Sequence, residues 1–572
     1  MRARAILRIR IITGIVLILA LALIVRLYFI QITHHATFVA EAEEQYVYTV
    51  QGLFSRGSIY FTPKDEATVS AATVTVGYEL AVNPNRIVDA ETTYDSLSQF
   101  IDVDKAYFFD RANLPDRVYV RLKEEVKESV AVQIAAADIP GVELRKQQWR
   151  YYPGHELAAR SIGFVGYSDN TGDSLHGRYG LERYYDDTLY FNTSTKEVNF
   201  FAEIFTNIGS FFFDATDART GDIVTTIEPT VARMLDSTLK KTQEKWGSML
   251  TGGIIIHPQT GAIYAMNAVP SFDLNNRTDA TLETFQNPLV ENVYEMGSII
   301  KPLTMAAGID AGVITPKSTY YDPGRITLDT YTISNYDGRG RGEVPMQEVL
   351  NQSLNTGVAY IANKLGKDVF REYFLNLRLG SETGIDLPNE AHGLISNLQS
   401  PREVEYATAS FGQGIALTPI ATVRALSTLA NGGRLITPHL VSKIQYRNGD
   451  VKEKHWPEGE QVYSAETTET VSRMLTTVVD EALRGGTVAL DRYSVAAKTG
   501  TAQIADTKNG GYYDDRFLHS FFGYFPSYNP QFLVFLYTVE PQGVRYASQT
   551  LTSPFMELTN FLINYYSIPP DR

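Results

Sequence analysis

The 572-residue chain contains no cysteine. This absence excludes disulfide bonds, thiol catalysis and cysteine-based zinc sites, although it does not identify the compartment in which the protein works. Nine histidines are present, but none of them forms a set with the spacing of metal ligands, so we expect no metal site. The net charge of −14 disfavours a nucleic-acid partner.

Long apolar runs are missing too, except for one near the N-terminus. Four arginines between Arg2 and Arg10 precede a nearly unbroken apolar stretch, residues 11–30, in which Arg26 lies near one end. About 20 such residues can cross a bilayer as a helix. Residues 31–55 contain no lysine or arginine, so the positive-inside rule predicts a cytoplasmic N-terminus, residues 1–10, and an extracytoplasmic location for everything after Ile30. The sequence therefore predicts a single-pass protein of the cytoplasmic membrane.

A cleaved signal peptide is the alternative reading of this stretch. Ala20-Leu21-Ala22 has the small-x-small pattern of a cleavage site. However, leucine, isoleucine and valine follow it directly, where a cleaved signal would already be polar. We therefore favour an uncleaved anchor.

The rest of the chain divides near Arg219-Thr220-Gly221-Asp222. Residues 31–220 alternate short β-type runs with polar helical pieces, whereas residues 221–572 begin with an amphipathic helix and a hairpin pattern. Near the end, three successive apolar runs read as strands: Ser494–Gln503, Ser520–Phe525 and Phe532–Val539. Strands at both ends of this region with helices between them predict an α+β domain, in which an antiparallel sheet is flanked by helices.

Three short elements carry the chemistry, and their order matters more than any one of them. They are Ser298-Ile299-Ile300-Lys301, Ser353-Leu354-Asn355 and Lys498-Thr499-Gly500-Thr501. Each is a weak signal alone: Ser237 and Lys240 also match Ser-x-x-Lys, and we expect them on the surface of an amphipathic helix. An isolated Ser-x-x-Lys is usually a capping serine followed by a solvated lysine. The ordered set indicates a serine nucleophile instead.

Ser298 is the predicted nucleophile and Lys301 its predicted base. Pro302 is tolerated in a first helical turn, so the serine is expected near a helix start, where free N–H groups favour an oxyanion. Lys301 lies three residues on, on the same helical face. It can accept the serine proton only if burial and a nearby positive charge, which Lys498 would provide, lower its pKa.

The other two elements are expected to complete the site. Ser353, in a loop between helices, is expected to pass a proton between Lys301 and the leaving amine. Asn355 is expected to donate to a substrate carbonyl or to position Lys301, and a polar helix cap is the plainer alternative for both residues. The third element is expected on a strand whose edge pairs with the substrate backbone.

Within that strand, each residue has an expected role. Gly500 would allow the close approach of a substrate backbone, and the Thr499 and Thr501 hydroxyls suit a terminal carboxylate, with charge added by Lys498. The backbone N–H groups of Ser298 and Thr501 would form an oxyanion hole. A strand with a glycine bulge is the plainer alternative.

These elements, with their surroundings, resemble class B penicillin-binding proteins, the monofunctional peptidoglycan transpeptidases. The resemblance rests also on Glu295–Pro302, Thr383–Pro388, Ser410–Gly414 and Lys498–Gln503, and it covers roughly residues 221–568. It implies a penicillin-binding transpeptidase domain, residues 221–572, on an N-terminal pedestal or dimerisation-like domain, residues 31–220. Met296 and Ala497 depart from the usual motif, and the pattern that opens the pedestal survives only as Arg56-Gly57-Ser58-Ile59.

The resemblance implies an acyl-enzyme on Ser298, formed at D-Ala-D-Ala of peptidoglycan stem peptides with release of D-Ala. The same serine would bind β-lactams, and no metal or organic cofactor is implied. Possible partners are a membrane glycan polymerase of the SEDS class and other division or elongation proteins, and the pattern around 520–530 favours a division-type member. Two alternatives stay open: a D,D-carboxypeptidase or β-lactamase, and a non-catalytic penicillin-binding sensor or scaffold.

Overall fold

The structure is a computed structural model that describes residues 56–65, 68–115, 117–167, 175–191, 219–457, 459–506 and 508–572. The predicted membrane anchor, residues 11–30, lies outside these ranges. Within them, no helix combines the length and the apolar character that a membrane span needs. The described residues belong to one compact unit.

A seven-stranded sheet joins the N-terminal region to the later part of the chain. Its strands are β1 (Ile59–Phe61), β2 (Val69–Val82), β3 (Val120–Val126), β4 (Val142–Tyr151), β7 (Gly221–Thr225), β14 (Val441–Tyr446) and β15 (Val451–Glu453). Strand β7 pairs parallel with β1 and antiparallel with β14. Backbone hydrogen bonds therefore connect residues on either side of the predicted division near 219–222.

The outer part of the pedestal has its own small apolar core. Three helices, α1 (Ala90–Leu97), α2 (Lys105–Ala112) and α3 (Glu128–Ala136), cover β2 and β3. Asp89 and Asp104 cap the first two helices by accepting backbone N–H groups. Buried side chains such as Phe108 and Leu122 form the core of this lobe.

A second, five-stranded sheet forms the centre of the C-terminal domain and is antiparallel throughout. Its order is β16-β17-β18-β8-β9, with bounds β8 (Leu250–Ile256), β9 (Ile263–Val269), β16 (Ala496–Ala505), β17 (Tyr512–Phe525) and β18 (Phe532–Val539). Every residue of β18 is buried, as expected for a central strand covered on both faces. The predicted α+β arrangement and its three final strands are confirmed, and the strand that carries Lys498 is an edge strand.

Helices cover this sheet, and most of them lie in the sequence between β9 and β16. Two of them, α7 (Pro229–Trp246) and α17 (Thr552–Tyr566), pack against each other. The others are α8 (Leu282–Phe285), α9 (Lys301–Asp310), α10 (Met346–Asn351), α11 (Asn355–Leu365), α12 (Lys367–Asn376), α13 (Glu403–Ala409), α14 (Pro419–Ser427), α15 (Ala465–Thr477) and α16 (Ala547–Thr550). Short 3₁₀ turns span Pro84–Arg86, Gly297–Ile300, Ser396–Gln399, Thr428–Ala430 and Leu483–Gly486, and a π-helical turn spans Val478–Ala482.

Small two-stranded pieces complete the fold. Strands β10 (Thr319–Asp322) and β13 (Gly342–Pro345) pair with each other, as do β11 (Arg325–Leu328) and β12 (Tyr331–Ser334). In the pedestal, β5 (Val165–Tyr167) pairs with β6 (Leu175–Gly177), beside α4 (Ala159–Ile162), α5 (Gly180–Tyr184) and α6 (Asp186–Leu189). The sequence patterns had not predicted the hairpin pieces at residues 319–345.

Buried ionic contacts connect separate segments of the pedestal. Both oxygens of the Glu182 carboxylate are paired, one with Arg56 Nε at 2.5 Å and the other with Arg150 Nε at 2.6 Å. Arg160 donates to the carbonyl oxygens of Ala268, Gln286 and Pro270. Arg160 lies in helix α4 of the pedestal, whereas its three acceptors lie in β9 or after it, in the C-terminal domain. These bonds therefore connect the pedestal to the C-terminal domain.

Candidate active site

Ser298 lies in a tight turn directly before helix α9. The turn Gly297–Ile300 runs into Lys301–Asp310, and Pro302 occupies the first helical turn as predicted. Gly297 has φ 64°, and a Cβ at this position would lie 3.0 Å from the carbonyl oxygen of Thr501. Only glycine tolerates both the left-handed backbone and this close approach. We call residues 295–300 the nucleophile turn, after the role predicted for Ser298. This turn packs directly against β16, the strand that carries the third motif.

Hydrogen bonds fix this turn from two sides. The backbone N–H of Gly297 donates to the carbonyl of Gly412 at 3.2 Å, and the buried Ser520 hydroxyl donates to the carbonyl of Met296 at 2.7 Å. Gly412 belongs to the Ser410–Gly414 segment, and Ser520 lies on β17. The role of Ser520 was missed in the sequence, because nothing in a strand pattern shows which carbonyl a hydroxyl will meet.

Glu295 adds a third attachment. Its Oε1 accepts the N–H of Gly414 at 3.0 Å and the hydroxyl of Tyr512 at 3.1 Å. Burial raises the pKa of this carboxyl group above its ordinary value. Glu295 thus joins the nucleophile turn to the start of β17, a contact that the motif alone does not predict.

Two lysines converge on the hydroxyl of Ser353. Lys301 Nζ lies 3.1 Å from Ser353 Oγ and 2.6 Å from the carbonyl oxygen of the same residue. Lys498 Nζ lies 3.0 Å from Ser353 Oγ and 3.0 Å from the carbonyl oxygen of Thr499. The structure therefore brings together one residue from each of the three sequence elements, although they are separated by up to about 200 residues of chain.

The electrostatics of this cluster suit proton transfer. Lys301 is fully buried, and burial, together with the charge of Lys498, lowers its pKa well below the ordinary value. Burial also lowers the pKa of Lys498, to about 7. A lysine that loses its proton near neutral pH can act as a general base, which a solvated lysine cannot do. Since Ser353 Oγ faces both amines, it can accept from one and pass a proton to the other.

Ser353 is held in an unusual backbone conformation. It lies between α10 and α11 with φ 53°, a left-handed value that costs energy for a residue with a side chain. The predicted loop between helices is confirmed. Backbone bonds from Ser353 N to Leu350 O and from Leu354 N to Val349 O hold the turn in place. Conformations of this kind concentrate at functional sites.

Asn355 opens helix α11, and its amide bonds a neighbouring strand. Its Nδ2 donates to the carbonyl oxygen of Ser334 at 2.8 Å, at the end of β12. This bond uses one of the two amide hydrogens, and no other bond of the amide is formed with the described residues, so one hydrogen and the oxygen can bind a ligand. The next residue, Thr356, donates to the buried carboxylate of Asp322 at 2.7 Å. The Asn355 bond to β12 was not predicted.

Gly500 packs closely against other parts of the protein, and the expected approach of a substrate backbone stays a prediction. A Cβ at this position would lie 2.2 Å from Ser520 Oγ and 2.7 Å from the carbonyl oxygen of Met296. The space that a side chain would need is therefore filled by the protein's own nucleophile turn. The close approach that Gly500 permits is between the edge strand and this turn, which places Ser298 beside β16.

Thr499 and Thr501 are half-buried residues of the same edge strand. Thr501 Oγ1 accepts the backbone N–H of Ala547 at 3.1 Å. Beside Ala547, the ring of Tyr546 packs edge-on against Tyr336, with ring centroids 5.8 Å apart. Tyr336 follows β12, so this aromatic contact joins the side of the site that holds Asn355 to the side that holds Thr501.

The second Ser-x-x-Lys sequence is a surface feature, as predicted. Ser237 and Lys240 lie within helix α7, and Lys240 forms ion pairs with Glu156 at 2.7 Å and Asp236 at 3.0 Å. Half-exposed ion pairs of this kind leave the lysine charged. Within the described residues, no cluster of histidine or acidic side chains could hold a metal ion.

The site combines a half-buried serine on a glycine-containing turn with two buried lysines that share the hydroxyl of a second serine. Residues 251–558, more than half of the chain, match the model of the penicillin binding protein transpeptidase domain, and residues 55–202 match that of the penicillin-binding protein dimerisation domain. The chain belongs to the penicillin-binding protein family and is a class B member.

Curated relatives cover most of the chain. It is 29% identical over 441 residues to stage V sporulation protein D of Bacillus subtilis, which covers 76% of this chain and 66% of that protein. It is 26% identical over 584 residues to the peptidoglycan D,D-transpeptidase FtsI homolog of Mesostigma viride, covering 95% of this chain and 93% of that protein. The probable peptidoglycan D,D-transpeptidase FtsI of Caulobacter vibrioides is 29% identical over 82% of this chain and 73% of its own length.

Solved structures share the fold. Penicillin binding protein 2X of Streptococcus thermophilus superposes with a TM-score of 0.71 at 20% identity, over 90% of this chain and 80% of that one. Penicillin binding protein 3 of Mycobacterium tuberculosis, complexed with aztreonam, gives a TM-score of 0.68 at 21% identity, over 91% of this chain and 98% of that one. The pedestal and the C-terminal domain are therefore both those of known penicillin-binding proteins.

Proposed function

We propose that this chain is a serine-active peptidoglycan D,D-transpeptidase that is also acylated by β-lactams. The observation that carries the proposal is the pair of buried lysines on either side of the Ser353 hydroxyl, next to the pinned turn of Ser298. Such a cluster has no structural purpose that apolar residues would not serve better. The names of the relatives, peptidoglycan D,D-transpeptidases among them, support the same reaction.

In the first half of the reaction, neutral Lys301 takes the proton of Ser298. The serine oxygen attacks the carbonyl carbon of the penultimate D-Ala, and the backbone N–H groups of Ser298 and Thr501 stabilise the resulting oxyanion. The C–N bond then breaks, and the leaving nitrogen takes a proton delivered through Ser353. Free D-Ala departs, and an ester links the donor peptide to Ser298.

In the second half, an amine of a neighbouring stem peptide attacks the ester. The amine loses a proton through the same lysine and serine relay, a new peptide bond forms, and the Ser298 hydroxyl is regenerated. Attack by water instead would make the chain a D,D-carboxypeptidase. The intact set of Ser298, Lys301, Ser353, Asn355 and Lys498 weighs against a non-catalytic sensor.

The proposal also places the protein at the cytoplasmic membrane. An anchor at residues 11–30 would hold the catalytic domain on the extracytoplasmic side, where peptidoglycan is found. A membrane glycan polymerase of the SEDS class would supply the strands that are cross-linked, and we favour a division-type role.

Product analysis tests the reaction. The full chain is incubated with a synthetic stem peptide ending in D-Ala-D-Ala, with and without an added acceptor amine, beside its Ser298→Ala variant. We expect release of D-Ala and an amine-linked product that is absent from the variant. Hydrolysis alone, undiminished by the acceptor, would support the carboxypeptidase alternative. No D-Ala release from folded protein would support the non-catalytic sensor or scaffold.

A further inference from the structure

His519 is a fully buried histidine on β17, directly opposite Thr501 in the antiparallel register with β16. Its Nε2 lies 3.0 Å from the carbonyl oxygen of Arg545, and its Nδ1 lies 2.9 Å from Thr550 Oγ1. The imidazole therefore bridges β17 to the segment 545–550, which follows β18 and contains helix α16.

The two contacts determine which ring nitrogen carries the proton. A carbonyl oxygen can only accept, so Nε2 of His519 must donate its N–H to Arg545. A neutral imidazole has one N–H, which leaves Nδ1 as an acceptor for the hydroxyl hydrogen of Thr550, whose other acceptor, the carbonyl oxygen of Ala547, lies farther away at 3.2 Å. Burial lowers the pKa of His519 to about 4, so the ring keeps this neutral form near neutral pH.

The segment that His519 holds also binds Thr501. The N–H of Ala547, between Arg545 and Thr550, donates to Thr501 Oγ1 at 3.1 Å. A hydroxyl oxygen that accepts such a bond still has its own hydrogen to donate, and donation is strengthened by the bond it accepts. The preferred acceptor of such a hydrogen is an anion, and a carboxylate fits.

We propose that His519 is a positioning residue for the recognition of a ligand carboxylate by Thr501. It anchors the segment 545–550 at both ends, so that Ala547 keeps the Thr501 hydroxyl oxygen occupied and turns its hydrogen towards the ligand. The proposal rests on the proposed function, because the carboxylate is that of the acyl donor or the β-lactam.

The test compares a penicillin with its carboxyl methyl ester on the full chain. Acylation is followed by mass spectrometry over a range of ligand concentrations, which separates the initial dissociation constant from the acylation rate constant. The variants are His519→Ala and His519→Gln, since glutamine can still donate to the Arg545 carbonyl. Thr538→Val is the matched control: Thr538 lies next to His519 on the same face and bonds Thr251, away from segment 545–550.

We expect His519→Ala to weaken initial binding of the penicillin about tenfold, the size of a lost hydrogen bond to a charged group. The ester should lose little, His519→Gln should recover most of the loss, and Thr538→Val should behave like the wild type. Equal losses for penicillin and ester, or wild-type binding by folded His519→Ala, would overturn the proposal. A wild-type protein that neither ligand acylates would instead contradict the proposed function, and the role of His519 would fall with it.

Discussion

Replacing Lys498 with methionine removes a positive charge beside Lys301 and keeps a side chain of similar length. Each of the two Nζ atoms lies close to Ser353 Oγ, at 3.1 Å and 3.0 Å. The amines are therefore no more than about 6 Å apart, where two unit charges at an effective dielectric constant of about 20 repel by about 3 kcal/mol. This repulsion adds to burial in lowering the pKa of Lys301.

The sign of the effect follows from the role of Lys301 as a base. The acylation rate constant should rise with pH as Lys301 loses its proton, and ligand binding should weaken as Lys498 loses its charge above a pKa of about 7. In Lys498→Met the repulsion is gone, so Lys301 holds its proton to higher pH and the rising limb moves upward. At a fixed acidic pH, about 3 kcal/mol corresponds to roughly a hundredfold smaller fraction of neutral Lys301.

The assay is the acylation rate constant of a penicillin, separated from initial binding and measured between about pH 5 and 9. Lys498→Arg is the control, because it keeps the charge while changing the shape of the side chain. We expect the arginine variant to keep the pH midpoint of the wild type. An unshifted midpoint in a folded Lys498→Met protein would refute the electrostatic coupling of the two lysines.

Two further substitutions test the packing of the site and of the pedestal. Gly500→Ala places a Cβ against Ser520 Oγ and the nucleophile turn, so we expect a loss of about 1–3 kcal/mol in stability and slower acylation; thermal denaturation and penicillin labelling measure both, and wild-type values would contradict the packing argument. Glu182→Gln leaves the guanidinium groups of Arg56 and Arg150 without their shared buried carboxylate, so we expect a loss of about 3–5 kcal/mol on denaturant unfolding. A loss below about 1 kcal/mol, the size expected for an exposed ion pair, would contradict this argument from burial.

The sequence correctly grouped Lys301, Ser353 and Lys498, because catalysis needs particular atoms close together, whereas their catalytic roles stay predictions. Ser298 and Lys301 were expected to share a helical face. The order of the three motifs distinguished them from the second Ser-x-x-Lys match, Ser237 and Lys240. The final three strands were readable because β18 and the second half of β17 are mostly apolar, whereas the polar first half of β17, from Tyr512, was not predicted. Short motifs and apolar periodicity are both properties of neighbouring residues, so the sequence alone shows them.

The sequence did not predict which distant strands pair with each other. Strand β1 pairs with β7 and through it with β14, which joins residues more than 380 positions apart in one sheet. No local pattern identifies the partner of a short strand, because its register depends on the packing of the whole sheet. The packing of Gly500 against Ser520 and Met296 was not predictable for the same reason: the sequence shows that a side chain is missing but not which atoms use the space.

The measurement that tests the central claim most directly is covalent labelling of the full chain by a fluorescent penicillin, beside Ser298→Ala. Mass spectrometry of the digested adduct then identifies the labelled residue. We expect one label for each wild-type chain, attached to Ser298, and none on the variant. Label that persists in Ser298→Ala, or its absence from folded wild-type protein, would contradict the assignment of Ser298 as the nucleophile.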